Sequence, residues 1–315
     1  MHDPHARTPG ARSQDRAARR RSLRRRRAGA AALLCLLVAA LVVLLARGGG
    51  SHAGAHGPLS PAAGGEVSRA PAARAVTHRT AAEPARSLQL QRLIALGRPV
   101  FCAARRGDEV ALTFDDGPGP YTRLVLAKLR KHHVHATFFV VGRNIPLVAG
   151  AVSVEARRGA VGDHTFTHPL LTSLPGAEAE DQIVRTQRAL ERASRDPVVL
   201  FRPPYGAHNA TVDRIARAHG LLEILWNVDS ADSLGAGYAQ VERNVIAGLR
   251  PGAIILMHEN HGQTVRALLG IFATLQRRHL RAVSVPQLLI DDPPSNAQVR
   301  AGGGGCGLSG GLHGD

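Results

Sequence analysis

The sequence predicts an α/β domain with a parallel sheet wound into a barrel or an open sheet, and the alternation of two kinds of segment carries that prediction. Between residues 95 and 290, seven short apolar runs at 110–114, 136–141, 160–163, 198–201, 222–228, 253–257 and 280–283 have strand length. Longer amphipathic stretches with helical period separate them, at 122–132, 178–193, 211–218, 239–249 and 265–276. In the first of these Leu124, Val125 and Leu129 share one face. Strands that alternate with helices run parallel, and a span of about 190 residues suits a compact, incomplete barrel of about seven strands. Functional side chains in such sheets collect at the carboxyl ends of the strands, so each motif can be judged by whether it falls there.

The flanks have a different composition. The 315-residue chain is 44% hydrophobic and 20% charged, which excludes a wholly disordered or collagen-like protein. Its net charge of +16 is concentrated at the amino terminus, where residues 1–50 hold eleven Arg against Asp3 and Asp15. A basic run in that position argues against nucleic acid as a partner. The uncharged apolar run of nineteen residues at 28–46 follows it, long enough as a helix to cross a bilayer core of about 30 Å. The expected topology is a basic cytoplasmic tail at 1–27, a signal-anchor at 28–46 and the rest of a single-pass membrane protein outside. Ala53-Gly54-Ala55 offers a cleavage site that would release a secreted form instead. Residues 47–94 read as a flexible linker and 291–315 as a disordered Gly-rich tail. Cys35 lies in the apolar run, while Cys102 and Cys306 either pair in an oxidising compartment or stay as free thiols, the latter slightly preferred. The chain is expected to act as a monomer.

The chemistry-bearing residues cluster at strand ends. Thr113-Phe114-Asp115-Asp116-Gly117-Pro118 closes the first strand with adjacent carboxylates, each of which needs a positive charge to offset its neighbour. His164-Thr165-Phe166-Thr167-His168 follows the third strand, and its i,i+4 imidazoles would share one face of a helical turn. Together with an Asp carboxylate they make a three-ligand set with room for water. Such a set suits zinc best, with cobalt, manganese or nickel as alternatives. Arg202, in Phe201-Arg202-Pro203-Pro204-Tyr205-Gly206, is placed to hold one carboxylate ionised. Asp229 and Asp232 end the fifth strand and His258 the sixth. Five of seven strands thus end in Asp, His or Arg, the pattern of an active site rather than of a solvated surface.

In this order, TFDDGP, HTFTH, RPPYG, DSAD and LMH resemble the five motifs of the polysaccharide deacetylase family, the NodB homology domain of carbohydrate esterase family four. ATFFVVG with Asn144 extends the resemblance, which covers about residues 105–290. The resemblance implies a distorted (β/α) barrel and a metal-dependent hydrolase acting on acetylated carbohydrate polymers. It implies Asp115 as catalytic base, and Asp116, His164 and His168 as metal ligands. Arg202 would orient Asp115, the Tyr205 N–H would help hold the oxyanion, and His258 would be the general acid tuned by Asp232. Two positions depart from the family pattern. Ser233 stands where a Trp is usual, and Glu259 where Asp usually follows the His.

With an anchor facing the cell wall, the expected substrate is N-acetylglucosamine or N-acetylmuramic acid of peptidoglycan. An O-acetyl xylan esterase or a chitooligosaccharide deacetylase is the enzymatic alternative, and a glycan-binding module without turnover the non-enzymatic one. With 11 aromatic residues in all, few of them in loops, little stacking platform for a long sugar chain is expected.

Overall fold

The computed structural model describes residues 82–306. The sequence features expected at 1–27 and 28–46 lie outside the described residues. Among the described residues no helix is long and apolar enough to cross a membrane.

A parallel sheet organises the fold. Its strands are β1 (Glu109–Gly117), β2 (Ala136–Val140), β3 (Gly159–Asp163), β4 (Leu200–Phe201), β5 (Leu222–Glu223), β6 (Val228–Asp229), β7 (Ile254–His258) and β8 (Arg281–Val283). Seven follow the path β5-β4-β3-β2-β1-β7-β6, and β8 pairs with the first residues of β1. The central strands are buried on both faces, as a parallel sheet covered by helices requires: all five residues of β2 are inaccessible, from Ala136 to Val140. Phe114, Phe138, Val140, Phe201, Ile255 and Met257 form the main core with the helix faces.

The connecting helices are α1 (Ala82–Leu96), α2 (Thr122–Lys131), α3 (Ala151–Arg158), α4 (Gly176–Ser194), α5 (Ala210–Ala218), α6 (Tyr238–Gly248), α7 (Gly262–Arg277), α8 (Val285–Asp291) and α9 (Asn296–Arg300). In α2, Val125 and Leu129 are buried while Leu124 is exposed, so the apolar face is narrower than the periodicity suggests. Asn209 starts α5 by accepting the N–H groups of Thr211 and Val212.

The expected single strand at 222–228 is corrected. It is two short strands at opposite ends of the sheet path, β5 on β4 and β6 on β7. The chain crosses between them, and Asn227 bridges the crossing. Its N–H donates to the Ile254 carbonyl, while its Oδ1 accepts the Ile254 N–H at 2.8 Å. One mostly apolar segment thus serves both edges of an incompletely closed barrel.

Both expected flanks are shorter than the sequence suggests. The linker reading of 47–94 fails from residue 82, where α1 begins; its Leu93 is fully buried beside Leu288 and Leu289 of α8. The tail expected to be disordered from 291 instead forms α9 and a final 3-10 turn at Gly302–Cys306. Cys306 is joined to Cys102 by a disulfide, with Cα atoms 5.9 Å apart, so the preference for free thiols is overturned. Apolar cover and a covalent tie order segments whose composition alone reads as loose.

Candidate active site

The site begins with an irregularity in β1. Adjacent residues of a regular strand point to opposite faces, so Asp115 and Asp116 should diverge. The β1–β2 register slips between Asp115 and Gly117, and Asp116 has φ 70°, the extra residue of a bulge. That bulge turns both carboxylates to one side. Asp115 Oδ2 and Asp116 Oδ1 each lie 3.7 Å from His164 Nε2. Asn144 supports the bulge by donating from Nδ2 to the Asp116 carbonyl at 2.9 Å. Gly117 follows, and a Cβ there would sit 1.2 Å from Glu259 Oε1, so a larger residue would have to displace that buried side chain.

His164 and His168 do meet at Asp116, but not on the helical turn that their spacing suggests. Thr165 and His168 have φ 64° and 62°, so the segment is an irregular loop with two left-handed residues. Its backbone is tied down from two directions. Asp163 Oδ1 accepts the Thr165 N–H at 2.7 Å, and Gln182 Oε1 accepts those of Phe166 and Thr167. His168 Nε2 then lies 3.3 Å from Asp116 Oδ1. At 2.7 Å from the Arg202 carbonyl, His164 Nδ1 must carry a proton, which makes Nε2, on the carboxylate side, the nitrogen that would ligate a metal. Burial and the neighbouring His164 lower the pKa of His168, favouring the neutral ring that a cation needs. One ligand atom each from Asp116, His164 and His168 falls within 4.8 Å of the others. The donor types, the fixed tautomer and this convergence fit a divalent metal.

Arg202 is fully buried beneath Asp115. Its Nη1 donates to Asp115 Oδ1 at 2.7 Å and to Thr113 Oγ1 at 2.8 Å, and Nε donates to the Ile224 carbonyl at 3.0 Å. Its guanidinium also stacks on Phe139, 4.1 Å from the ring centroid. Burial lowers its pKa, an effect that Asp115 partly offsets.

On the other side of Asp115, His258 ends β7 opposite it in register. Asp232 accepts from His258 twice, from the backbone N–H and from Nδ1, both at 2.7 Å, and also from the Thr264 hydroxyl. Burial opposes the charge on His258, but the Asp232 contact and the nearby Asp115 and Asp116 outweigh it and hold the pKa up to about 9. Of the two carboxylates the sequence offered here, Asp232 is the partner. Asp229 instead accepts the Ala231 N–H.

Tyr205 sits at φ 64°, with its ring edge on His168 at 4.8 Å between centroids and its side chain 65% exposed. All three tyrosines of the chain, Tyr121, Tyr205 and Tyr238, are exposed on segments that follow strands β1, β4 and β6. These three are the few loop aromatics that the sequence offers, and the ring of Tyr238 is covered by the Arg266 guanidinium at 4.2 Å. Of the two departures from the family pattern, Ser233 donates its N–H to Asp232 Oδ1. Glu259 is buried beneath Gly117, where burial pushes its carboxyl up to about 8. Thr113, Asp163, Gln182 and Thr264 support the site although the sequence did not single them out. Only Asp163, adjoining His164, carried a readable signal.

A parallel sheet with Asp, His and Arg gathered at its carboxyl end fits the polysaccharide deacetylases, and the sequence matches show that the chain belongs to that family. The family's sequence model, "Polysaccharide deacetylase", matches residues 103–224. A chitooligosaccharide deacetylase of Bradyrhizobium is 34% identical over 60% of this chain and 97% of its own length. The peptidoglycan-N-acetylglucosamine deacetylase PgdA of Listeria monocytogenes is 37% identical over 60% of this chain, but the match spans only 41% of that protein. Among solved structures, a family 4 carbohydrate esterase from Streptomyces lividans in complex with acetate superposes with a TM-score of 0.55 at 36% identity. It covers 57% of this chain and 95% of its own.

Proposed function

We propose that the chain is a divalent-metal-dependent hydrolase that removes N-acetyl groups from a carbohydrate polymer, N-acetylglucosamine or N-acetylmuramic acid of peptidoglycan. The observation that carries this reading is the meeting of Asp115 and Asp116 at one His164 nitrogen, with Arg202 behind the first and the His258–Asp232 pair beside it. Asp116, His164 and His168 would hold the metal, zinc by donor type. When bound, the metal polarises the acetyl carbonyl and lowers the pKa of the attacking water to about 7.

The protein's own groups do the rest. Arg202 holds Oδ1 of Asp115 and fixes the orientation of the carboxylate, which leaves Oδ2 to take a proton from the attacking water. The Tyr205 N–H offers a donor to the acetyl oxygen as charge develops there. Asp232 fixes Nδ1 of His258 as the protonated nitrogen, which orients Nε2 to deliver a proton to the departing amine as the C–N bond breaks. Water supplies hydroxide to the acetyl carbon and, through these two groups, a proton to the amine. The products are acetate and a free amino sugar.

A chitooligosaccharide is the competing substrate, favoured by the near-full-length match to the Bradyrhizobium protein. An acetylated xylan would require only an alkoxide leaving group. A glycan-binding module without turnover has no need for the complete acid and base pairs. The apolar run at 28–46 supports a membrane-anchored domain outside the cytoplasm, with the secreted form as alternative. The disulfide supports an oxidising compartment. The test is acetate release by the full chain from peptidoglycan, chitooligosaccharides and acetylxylan, with and without chelator. Chelator-sensitive release, fastest from peptidoglycan, is expected; binding without release from any of the three would leave the module.

A further inference from the structure

We infer that His208, Asp213 and Glu223 form a second divalent-cation site, separate from the deacetylase centre. His208 immediately precedes the cap residue of α5, Asp213 lies in the first turn of that helix, and Glu223 ends β5 at the sheet edge. One ligand atom from each falls within 4.8 Å of the others. His208 Nδ1 is 2.9 Å from Asp213 Oδ1 and 3.8 Å from Glu223 Oε1. Bonds of about 2.0–2.1 Å at a tetrahedral angle put ligand atoms about 3.3 Å apart, a value that these two separations bracket.

A histidine beside an aspartate is satisfied as an ion pair, so the spacing alone decides nothing. Glu223 is what requires a ligand. Its side chain is in a residue only 4% exposed, and neither carboxylate oxygen accepts a hydrogen bond from any donor. It faces the Asp213 carboxyl, and burial together with that neighbour pushes Glu223 up to about 8, so that without a cation the two carboxyls share a proton that a bound metal would displace. Buried acceptors are nearly always paired, and two neighbouring carboxylates need positive charge between them.

Among the described residues one side chain, His208, pairs with both carboxylates, and its hydrogen bond to Asp213 raises its own pKa. Arg98, Arg214 and Arg217 line the adjoining cavity of about 440 Å³, which also reaches His208 and Asp213. Yet the ion pairs these two carboxylates make among the described residues are with His208. The arginines therefore surround the entrance rather than neutralise the carboxylates. The cavity gives an ion a path from solvent and leaves a coordination position open to water. One imidazole with two carboxylates matches zinc or manganese better than calcium, which takes oxygen ligands alone.

The experiment counts zinc on the purified full chain at neutral pH by competition with a chromophoric chelator. Wild type should bind two equivalents, and Glu223→Gln and Asp213→Asn one each. Acetate release should be unchanged in both variants. Loss of a direct ligand should weaken the second equivalent by more than the roughly 10- to 100-fold that an outer-shell partner is worth. His164→Ala with His168→Ala should remove the other equivalent and leave this one, so failure of the deacetylase reading and failure of this one give different counts. The near-isosteric Gln and Asn preserve packing, and a zinc-dependent rise in melting temperature, retained by the His164 and His168 variant and lost in Glu223→Gln, gives a second readout. A wild-type count unaltered by Glu223→Gln and Asp213→Asn would overturn the site, leaving a His208–Asp213 ion pair beside a protonated Glu223.

Discussion

Asp115 and Asp116 are adjacent in the chain, yet each places a carboxylate oxygen 3.7 Å from the same nitrogen of His164. The bulge at Asp116 makes this possible, and it divides the labour: one carboxylate is held by Arg202, the other faces both imidazoles.

Arg202 should be the costliest of these residues to remove. Replacing it by Met leaves Asp115 buried and without its cation, and breaking such a pair typically costs about 3–5 kcal/mol. Urea titration should show that loss in the midpoint. Adding Asp115→Asn to Arg202→Met should recover part of it, because the uncompensated charge is then gone. Strict additivity of the two substitutions would contradict the coupling.

His258 carries the pH dependence. Its pKa is held up to about 9 in the metal-free protein, above the ordinary imidazole value. Its contribution to stability should therefore be fully present below about pH 6.5 and lost as pH rises through about 9. Thermal melts of the metal-free protein across that window should fall with pH, and Asp232→Asn should flatten them. In the metal-loaded enzyme the cation offsets Asp115 and Asp116, so the Asp232 contact remains as the raising influence. The alkaline limb of kcat/KM should then lie below 9, and Asp232→Asn should move it lower still. A limb unmoved by Asp232→Asn would remove His258 from the acid's role.

Much of the site was legible because its residues are local motifs at strand ends, where the parallel sheet delivers them to one rim whatever the details of the loops. The means of delivery were not legible. His164 and His168 converge through two left-handed residues, not a helical turn, and a bulge is not written in Asp-Asp-Gly-Pro. Residues 222–228 read as one strand because apolar run length does not tell which edge each end will join. Long-range closure was equally hidden. Cys102 and Cys306 could be named as a possible pair but the pairing could not be decided without their proximity, and Glu223 gains its meaning only when β5 brings it beside α5.

The disulfide spans a sequence separation of 204, so opening it restores much conformational freedom to the unfolded chain. Cys306→Ser should lower stability by about 2–5 kcal/mol. Limited proteolysis should then cut first between 291 and 306, where α9 loses its tether. A midpoint and a cleavage pattern equal to wild type would mean that packing alone holds this segment.

The central claim is that Asp115 acts on the attacking water while Asp116 holds the metal, and one paired measurement tests it most directly. Zinc content and acetate release from an N-acetylglucosamine oligomer are measured on the same preparations of wild type, Asp115→Asn and Asp116→Ala. In Asp115→Asn the amide oxygen still accepts from Arg202, so the deacetylase metal should stay while release falls about 10²- to 10⁴-fold, the usual worth of a general base. Asp116→Ala should lose that metal and release together. Wild-type release by Asp115→Asn, or loss of its metal with no loss in Asp116→Ala, would contradict the assignment.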